Sequence, residues 1–355
     1  MVSLYLTSEL GLSGLHTICI GLGLHFMEEK LEVGYFKPLG HRYHEEEGVV
    51  TDEDVSFMRR SLNLEEDLED LCPVVLTSQL VRNSLKEGPE DLLGRIKEAF
   101  ARVSRGKDVV LVQGAFTSQQ GRFLNLSAYQ IAPAIDARVI LVERFDDAFL
   151  ADNVLAAHDL FGPSLLGVIY NMIPPNRESF VEEILAPRLE KEGIPVLGQV
   201  PFDRVLCSIN AGDLARLLEG KVLCAEEHLD TLVEDIVVGA MSQEHALSVF
   251  RKRRNICVVT GGDRSEIQLA AMEAKARCLI LTGSLYPSSI ILGKAEEMGI
   301  PVILVSTDTF TTAERAEMII RSARTHEAKK LERMRELLDC CVDLPRLFEL
   351  SGIKK

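Results

Sequence analysis

Basic residues are in deficit in this 355-residue chain: 39 Lys and Arg stand against 54 Asp and Glu, a formal net charge of −15. Nucleic acid and anionic membrane surfaces both call for a basic face, so neither is expected as a partner. The one dense basic run, Arg251-Lys252-Arg253-Arg254, falls between a helical and a strand pattern and reads as a solvated turn. No apolar stretch reaches the roughly 18 residues of a membrane span, and the first residues show neither the basic start nor the small-residue cleavage site of a signal peptide. A cytoplasmic location is expected. The eight cysteines contain no CxxC pair; six sit singly in apolar segments and Cys340-Cys341 are adjacent. That spacing argues against zinc and iron–sulfur frameworks and for free thiols. Between Met1 and Glu29 there is no Lys or Arg at all, and this gap spans the first loop of the chain.

What is present is apolar material for two cores: 46% of the residues are hydrophobic, and the length exceeds one comfortable domain. An apolar strand (Val2 to Leu6), the loop Thr7-Ser8-Glu9-Leu10-Gly11-Leu12-Ser13-Gly14 and an apolar helical run (Thr17 to Phe26) open the chain. Strand, glycine-bearing loop and helix start make the frame of a P-loop, where backbone N–H groups around Ser13 and Gly14 face a phosphate. The motif's chemistry also needs Lys and then Ser or Thr after the last glycine, and here those positions hold Leu15 and His16. An ammonium about 4 Å from a phosphate oxygen is worth roughly 4 kcal/mol at an effective dielectric near 20, so its loss costs on the order of a thousandfold in affinity. Two readings stay open: a degenerate P-loop, or a βα turn that never bound phosphate.

Further along, Val33 to Gly40 is a short strand ending in Lys37, at the crevice side of a parallel sheet. The acid-rich stretch His41 to Asp54 reads as a solvated loop, with Asp52 and Asp54 either stabilising a helix N-terminus or serving as Mg²⁺ carboxylates. Pro89 to Val103 is an amphipathic helix, and Asp108 to Ala115 a buried strand ending Gln113-Gly114. A P-loop protein places its second acid there, whereas a neutral amide is a poor ligand for a hard cation. Strands at Val139–Glu143, Leu165–Asn171 and Val196–Val200 alternate with helices at Ala148–Leu160 and Glu178–Glu192, which implies a parallel sheet covered on both faces. Composition shifts over Asp203 to Glu226, and a second α/β unit follows, with strands at Leu232–Val238, Ile256–Thr260, Cys278–Leu281 and Val302–Val305 and a last helix at Thr311–Ser322. Two of its strands end in Gly261-Gly262-Asp263-Arg264 and Thr282-Gly283-Ser284, expected to line an anion site: glycines permit close approach, the helix start offers N–H groups, and Arg264 adds a donor fork. The competing reading has Asp263 capping the helix and Arg264 paired with a nearby acid. The charged final helix, Ala328 to Leu338, reads as a packing or oligomerisation arm.

These residues carry a family resemblance. Leu4 to Gly40, Gln113-Gly114, Leu166 to Asn171 and Gly198-Gln199-Val200-Pro201 resemble the dethiobiotin synthetase-like P-loop domain at the N-terminus of long-form bacterial phosphotransacetylases. The stretch Glu234 to Thr312, with Val237 to Met241, Thr260 to Arg264 and Leu281 to Ser284, is similar to the DRTGG domain that follows it there. The resemblance implies an α/β chain: a parallel-sheet P-loop NTPase-like domain over 1–213, a smaller α/β DRTGG-type domain over 214–326, and a helical arm over 327–355. In that family a P-loop Lys-Thr, a strand-two Lys, an Asp before the third helix, a Glu ahead of the strand-three glycine and a late-strand Asn serve phosphate, substrate, Mg²⁺ and base. Lys37, Asp52 or Asp54, and Asn171 match; Leu15, His16 and Gln113 do not, and Ser284 replaces the second glycine of the DRTGG signature.

The expectation is therefore a non-enzymatic regulatory or ligand-sensing protein, a homodimer, binding a nucleotide or small anionic metabolite and no tightly held metal. Its ligand residues are Ser13, Gly14, Lys37, Asp52, Asp54, Gln113 and Asn171 in the first domain, and Gly261, Gly262, Asp263, Arg264, Thr282, Gly283 and Ser284 in the second. Acetyl transfer is not expected, since the chain stops where that domain of the family begins. The alternatives are a structural subunit with a protein partner in a larger complex, and an ATP-dependent synthetase-type enzyme with an unusual P-loop.

Overall fold

Aliphatic runs in the first part of the chain become six strands: β1 (Val2–Thr7), β2 (Val33–Phe36), β3 (Val109–Gln113), β4 (Arg138–Arg144), β5 (Leu165–Ile173) and β6 (Val196–Pro201). They pair all-parallel in the order β6-β5-β4-β1-β3-β2. Strands buried on both faces need near-continuous apolar residues, and Val109 to Val112 of β3 and the centre of β4 meet that demand. The computed structural model describes residues 1–88, 91–147, 150–321 and 328–354. Two compact units emerge: Met1–Phe202 joined by the C-terminal segment from Thr325, and Asp203–Arg324. The helix starts expected at Pro89 and Ala148, the helix end at Ser322 and the 326/327 boundary lie outside the described residues. No helix among the described residues is long and apolar enough to cross a membrane.

The register positions the first loop. Leu6 lies opposite Gln113 of β3 and Thr7 opposite Leu141 of β4, so the chain leaves β1 between the ends of β3 and β4, and β4 runs on alongside it to Arg144. After the loop, the helix Leu15–Glu28 packs on the C-terminal helix Ala328–Cys341. Met334, Leu337, Leu338, Leu347 and Phe348 are buried, Phe348 meets Phe26 edge-on at 5.5 Å between ring centroids, and the Asp343 N–H donates to the Leu197 carbonyl of β6. At about 1.5–3 kcal/mol for each fully buried large apolar side chain, this apolar face explains why the terminal helix folds back onto its own unit.

His41 to Asp54 is not the solvated loop its acids suggest. Tyr43–Glu46 and Val49–Asp52 form an antiparallel hairpin turned by Glu47 and Gly48, both at positive φ (57° and 78°), the backbone of a tight hairpin turn. Residues of the first arm alternate between exposed and half-buried, while Thr51 and Asp52 at the end of the second are fully buried. The hairpin thus carries Asp52 inward and starts the helix Glu53–Ser61.

The second unit is a five-stranded sheet: β7 (Lys221–Cys224), β8 (Asp235–Val238), β9 (Ile256–Gly261), β10 (Cys278–Thr282) and β11 (Val302–Leu304), ordered β7-β11-β10-β9-β8. All pairs are parallel except the edge strand β7, which runs antiparallel to β11. The strand expected over Leu232–Val238 is split: Leu232–Val233 pairs with Ile209–Asn210 and only Asp235–Val238 enters the sheet. Alternate residues feed two cores, Val258 and Leu279 on one face with Phe250, Ile267 and Ile291, Cys257, Val259 and Ile280 on the other with Leu214, Ile303 and Ile320.

Candidate functional site

The first loop joins β1 to the helix Leu15–Glu28 through a glycine in the left-handed region. Gly14, at φ 76°, caps the helix Leu15–Glu28. A Cβ there would stand 2.3 Å from Asn171 Nδ2, so only glycine fits. Asn171, at the carboxyl side of β5, donates from Nδ2 to the Ser13 carbonyl at 2.9 Å and accepts the Met172 N–H, which braces the loop from behind.

A carboxylate lies against the loop's front half. Glu143, near the end of β4 and 2% exposed, accepts the Glu9 N–H at 2.6 Å, with the Ser8 hydroxyl 3.2 Å from the same oxygen. Tyr129 donates to Glu9 Oε1 at 2.7 Å. Burial pushes the Glu143 carboxyl up to about 7; the Glu9 N–H and the Ser8 hydroxyl pull against that rise, and the Glu9 charge adds to it. A carboxyl whose value is about 4.5 when unfolded and about 7 when folded favours the fold below pH 4.5, and that stability is lost as pH rises through 7, by about 3 kcal/mol. Glu143→Gln removes the ionisation. The stability difference between variant and parent, from urea unfolding, should therefore move in the variant's favour by about 3 kcal/mol between pH 4.5 and 8; a difference that does not change with pH would contradict this.

Lys37, just past β2, is fully buried with Asp52 and Asp54. Its Nζ donates to Asp52 Oδ1 at 2.7 Å and to Asp54 Oδ2 at 2.6 Å. Asp52 Oδ1 also accepts the Asp54 N–H as the cap of the helix Glu53–Ser61, and its Oδ2 accepts the His41 and Arg42 N–H groups at 2.9 and 3.0 Å. Burial pushes the Asp52 carboxyl up, but the Lys37 ammonium and the Arg42 N–H outweigh it and hold it at about 2. Gln113, closing β3, donates from Nε2 to Asp54 Oδ2 at 2.8 Å and accepts the Tyr35 hydroxyl at 2.9 Å. His16 Nδ1 stands 3.4 Å from Gln113 Oε1 and 3.5 Å from Asp54 Oδ1; both are acceptors, so the ring presents Nδ1–H to them.

These residues do not fit a divalent cation. An ammonium already bridges the two carboxylates, Asp52 uses both oxygens on four N–H donors, and the third position is an amide. Among the described residues, no group of three His, Cys, Asp or Glu is placed to hold a metal.

In the second unit the two glycine-bearing loops lie against each other. The Thr282 hydroxyl is 2.8 Å from that of Thr309, the Gly283 N–H donates to Thr307 and the Ser284 N–H to Val305. Gly262 touches the Leu285 carbonyl, and Gln268, fully buried, donates to the Gly261 and Gly262 carbonyls at 2.9 and 3.1 Å. Arg264 donates to Glu266 Oε1 at 2.6 Å and to the Met241 carbonyl at 3.0 Å, while Asp263 is exposed. The structure thus brings Lys37, Asp52, Asp54, Gln113 and His16 together, sets Ser13, Gly14 and Asn171 beside one another, and adds Glu143 and Tyr35. The readable signal for Glu143 is an acid at the carboxyl end of a buried strand.

A family model for the AAA domain matches residues 3–209, more than half of the chain. The chain belongs to the AAA domain family. A DRTGG domain model matches residues 213–319, so this AAA-family chain pairs a dethiobiotin synthetase-like P-loop domain with a DRTGG domain, both α/β. It is similar to the phosphate acetyltransferases of Pseudomonas aeruginosa and Pseudomonas putida, each 26% identical over 96% of this chain and 50% of the relative, and of Escherichia coli, 24% identical over 91% and 49%. The chain spans about half the length of the curated relatives it matches. Among solved structures it is similar to the CBS and DRTGG domains of the regulatory region of Clostridium perfringens pyrophosphatase, at 22% identity and a TM-score of 0.26, over 43% of this chain and 73% of that one.

The relatives correct the expected function. A non-enzymatic regulatory or ligand-sensing protein conflicts with relatives that bear an enzyme's name. Leu15, His16 and Gln113 bear on triphosphate and metal chemistry alone; their presence does not speak to acetyl transfer.

Proposed function

We propose that this chain works in acetyl transfer to phosphate, as the P-loop and DRTGG part of a phosphate acetyltransferase. The observation that carries the reading is a match to such enzymes that runs through 96% of the chain. Within the enzyme the two units take a regulatory share. The first-unit crevice supports that division, because Lys37 bridges Asp52 and Asp54 and the Gln113 amide stands at the end of β3, which leaves those positions without open metal ligands for phosphoryl transfer. The test replaces the matched half of the Pseudomonas aeruginosa enzyme with this chain and follows acetyl phosphate formed from an activated acetyl donor and phosphate. A tenth or more of the parent enzyme's rate is the expected result. A chimaera that folds and shows no transfer, beside an active parent, defeats the proposal.

A further inference from the structure

The basic run Arg251 to Arg254 forms the turn ahead of β9. The turns ahead of β10 (274–277) and β11 (298–301) lie beside it, because these three strands are parallel neighbours in the sheet of the second unit. Together the turns line a cavity of about 530 Å³ at the amino-terminal edge of the sheet, the edge opposite the glycine-bearing loops. Arg253, Arg254, Lys275 and Arg277 stand in its wall with the apolar groups of Met298 and Ile300, and no Asp or Glu does. The volume suits a small organic ligand. The charge is against the run of a chain whose net charge is −15.

One of these cations is held in place from behind. Glu234 Oε1 accepts the Asn255 side-chain N–H at 2.6 Å, and Asn255 Oδ1 accepts Arg277 Nε–H at 2.9 Å. The guanidinium is thereby pinned through Nε, and its two Nη groups have no partner among the described residues. They form the donor pair that takes a phosphate or carboxylate group. Arg253 is tied to Asp235 at 2.6 Å, whereas Arg254 and Lys275 have neither hydrogen bond nor ion pair among the described residues. Lys275, at φ 58°, occupies the position past the helix Ser265–Glu273 where glycine is favoured, so its side chain is carried there at a backbone cost. The helix ends ask for some positive charge, since Gln243–Phe250, Ser265–Glu273 and Ser289–Glu297 all finish at these turns. At about half a negative charge for each helix end, that demand is about 1.5 charges, and Arg254, Lys275 and Arg277 exceed it.

We propose that this cavity binds a small polyanion, a metabolite with two or more phosphate or carboxylate charges, gripped by the Arg277 fork and neutralised by Arg254 and Lys275. The site is read by binding alone and stands apart from the acetyl-transfer reading. Inorganic pyrophosphate and citrate are the probes, and the tighter of them tells a phosphate site from a carboxylate one. Calorimetric titration of the full chain at about 0.15 M salt, where exposed charges more than about 8 Å apart are screened, should show saturable binding of at least one probe. Arg277→Ala and Arg254→Ala should each weaken it at least fivefold. Arg251→Ala is the control: it removes the same charge from the same turn, but from a residue outside the cavity wall and paired with Glu273, and it should change affinity less than twofold. Lys275→Gly relieves the left-handed backbone, so it should melt no lower than the parent by circular dichroism while binding at least fivefold more weakly, which separates lost binding from lost fold. Neither probe binding the parent, binding that the three cavity variants leave unchanged, or an equal loss in Arg251→Ala overturns the proposal.

Discussion

Lys37→Met is expected to destabilise the first unit by about 3–5 kcal/mol at pH 7, the cost of leaving buried charge uncompensated. The ammonium is fully buried and bridges two carboxylates that are fully buried themselves. Methionine fills much the same volume, so packing changes little and the loss is electrostatic. In the parent, burial pushes Asp52 up but Lys37 holds it at about 2 against an ordinary 3.8. That depression contributes about 2 kcal/mol, present above pH 3.8 and lost as pH falls through 2. Without Lys37 the largest opposition to burial is gone and the backbone N–H groups remain, so the Asp52 carboxyl rises, and the variant's defect narrows as pH is lowered from 7 to 4.5. Urea unfolding followed by circular dichroism at the two pH values reads both effects, and in thermal unfolding the loss corresponds to roughly 10 °C. Adding Asp52→Asn and Asp54→Asn to Lys37→Met should recover part of the loss, because it removes the stranded charges. A defect below 1 kcal/mol at pH 7 would show that the pair is not a buried ion bridge.

Gly262→Ala should cost the second unit about 3 kcal/mol or more, in the range of overpacking that side-chain adjustment cannot relieve. The added Cβ would stand 1.6 Å from the Leu285 carbonyl oxygen and 2.5 Å from its carbon. The obstacle is backbone, so one of the two strand-end loops must move. Moving the first loop pulls the Gly261 and Gly262 carbonyls from Gln268, a buried side chain that would then be left with unmet donors. Gly261→Ala is the contrast. Its Cβ meets Asp263 Oδ1 at 2.5 Å, the end of an exposed side chain that can swing aside, and the expected cost is about 1 kcal/mol. Hydrogen exchange of amides in β9 and β10 separates the second unit's response from the first. Equal costs for the two variants would mean that the loop carrying Leu285 yields freely.

Much of the architecture is written in local patterns. Unbroken apolar runs of strand length, alternating with helical periodicity and short connections, specify a parallel sheet covered on both faces, and Val109 to Gln113 needs nothing more to be read as a central strand. The hairpin at Tyr43–Asp52 escaped because its acids resemble a solvated loop and neither arm alternates apolar with polar residues; Gly48 in the Glu47-Gly48 turn was the one signal there to find. The edge strand β7 escaped because an edge is half covered and needs no continuous apolar run.

Taken alone, the sequence determined the residue types at the motif positions, Leu15 and His16 after the first loop and Gln113 at the end of β3, and the order of the two domains. It misdirected the function, because a missing phosphoryl-transfer side chain reports on one reaction only. Partnership was decided by tertiary structure. Glu143 meets the Glu9 N–H across 134 residues of chain, and Asn171 meets the Ser13 carbonyl across 158. Lys37 meets Asp52 and Asp54 only because a hairpin turns them back beneath it. A charge in sequence is a demand for a partner, and its neighbours along the chain do not say which partner answers. Burial makes the demand strong, and the packing of strands and loops determines which group is within 3 Å to meet it.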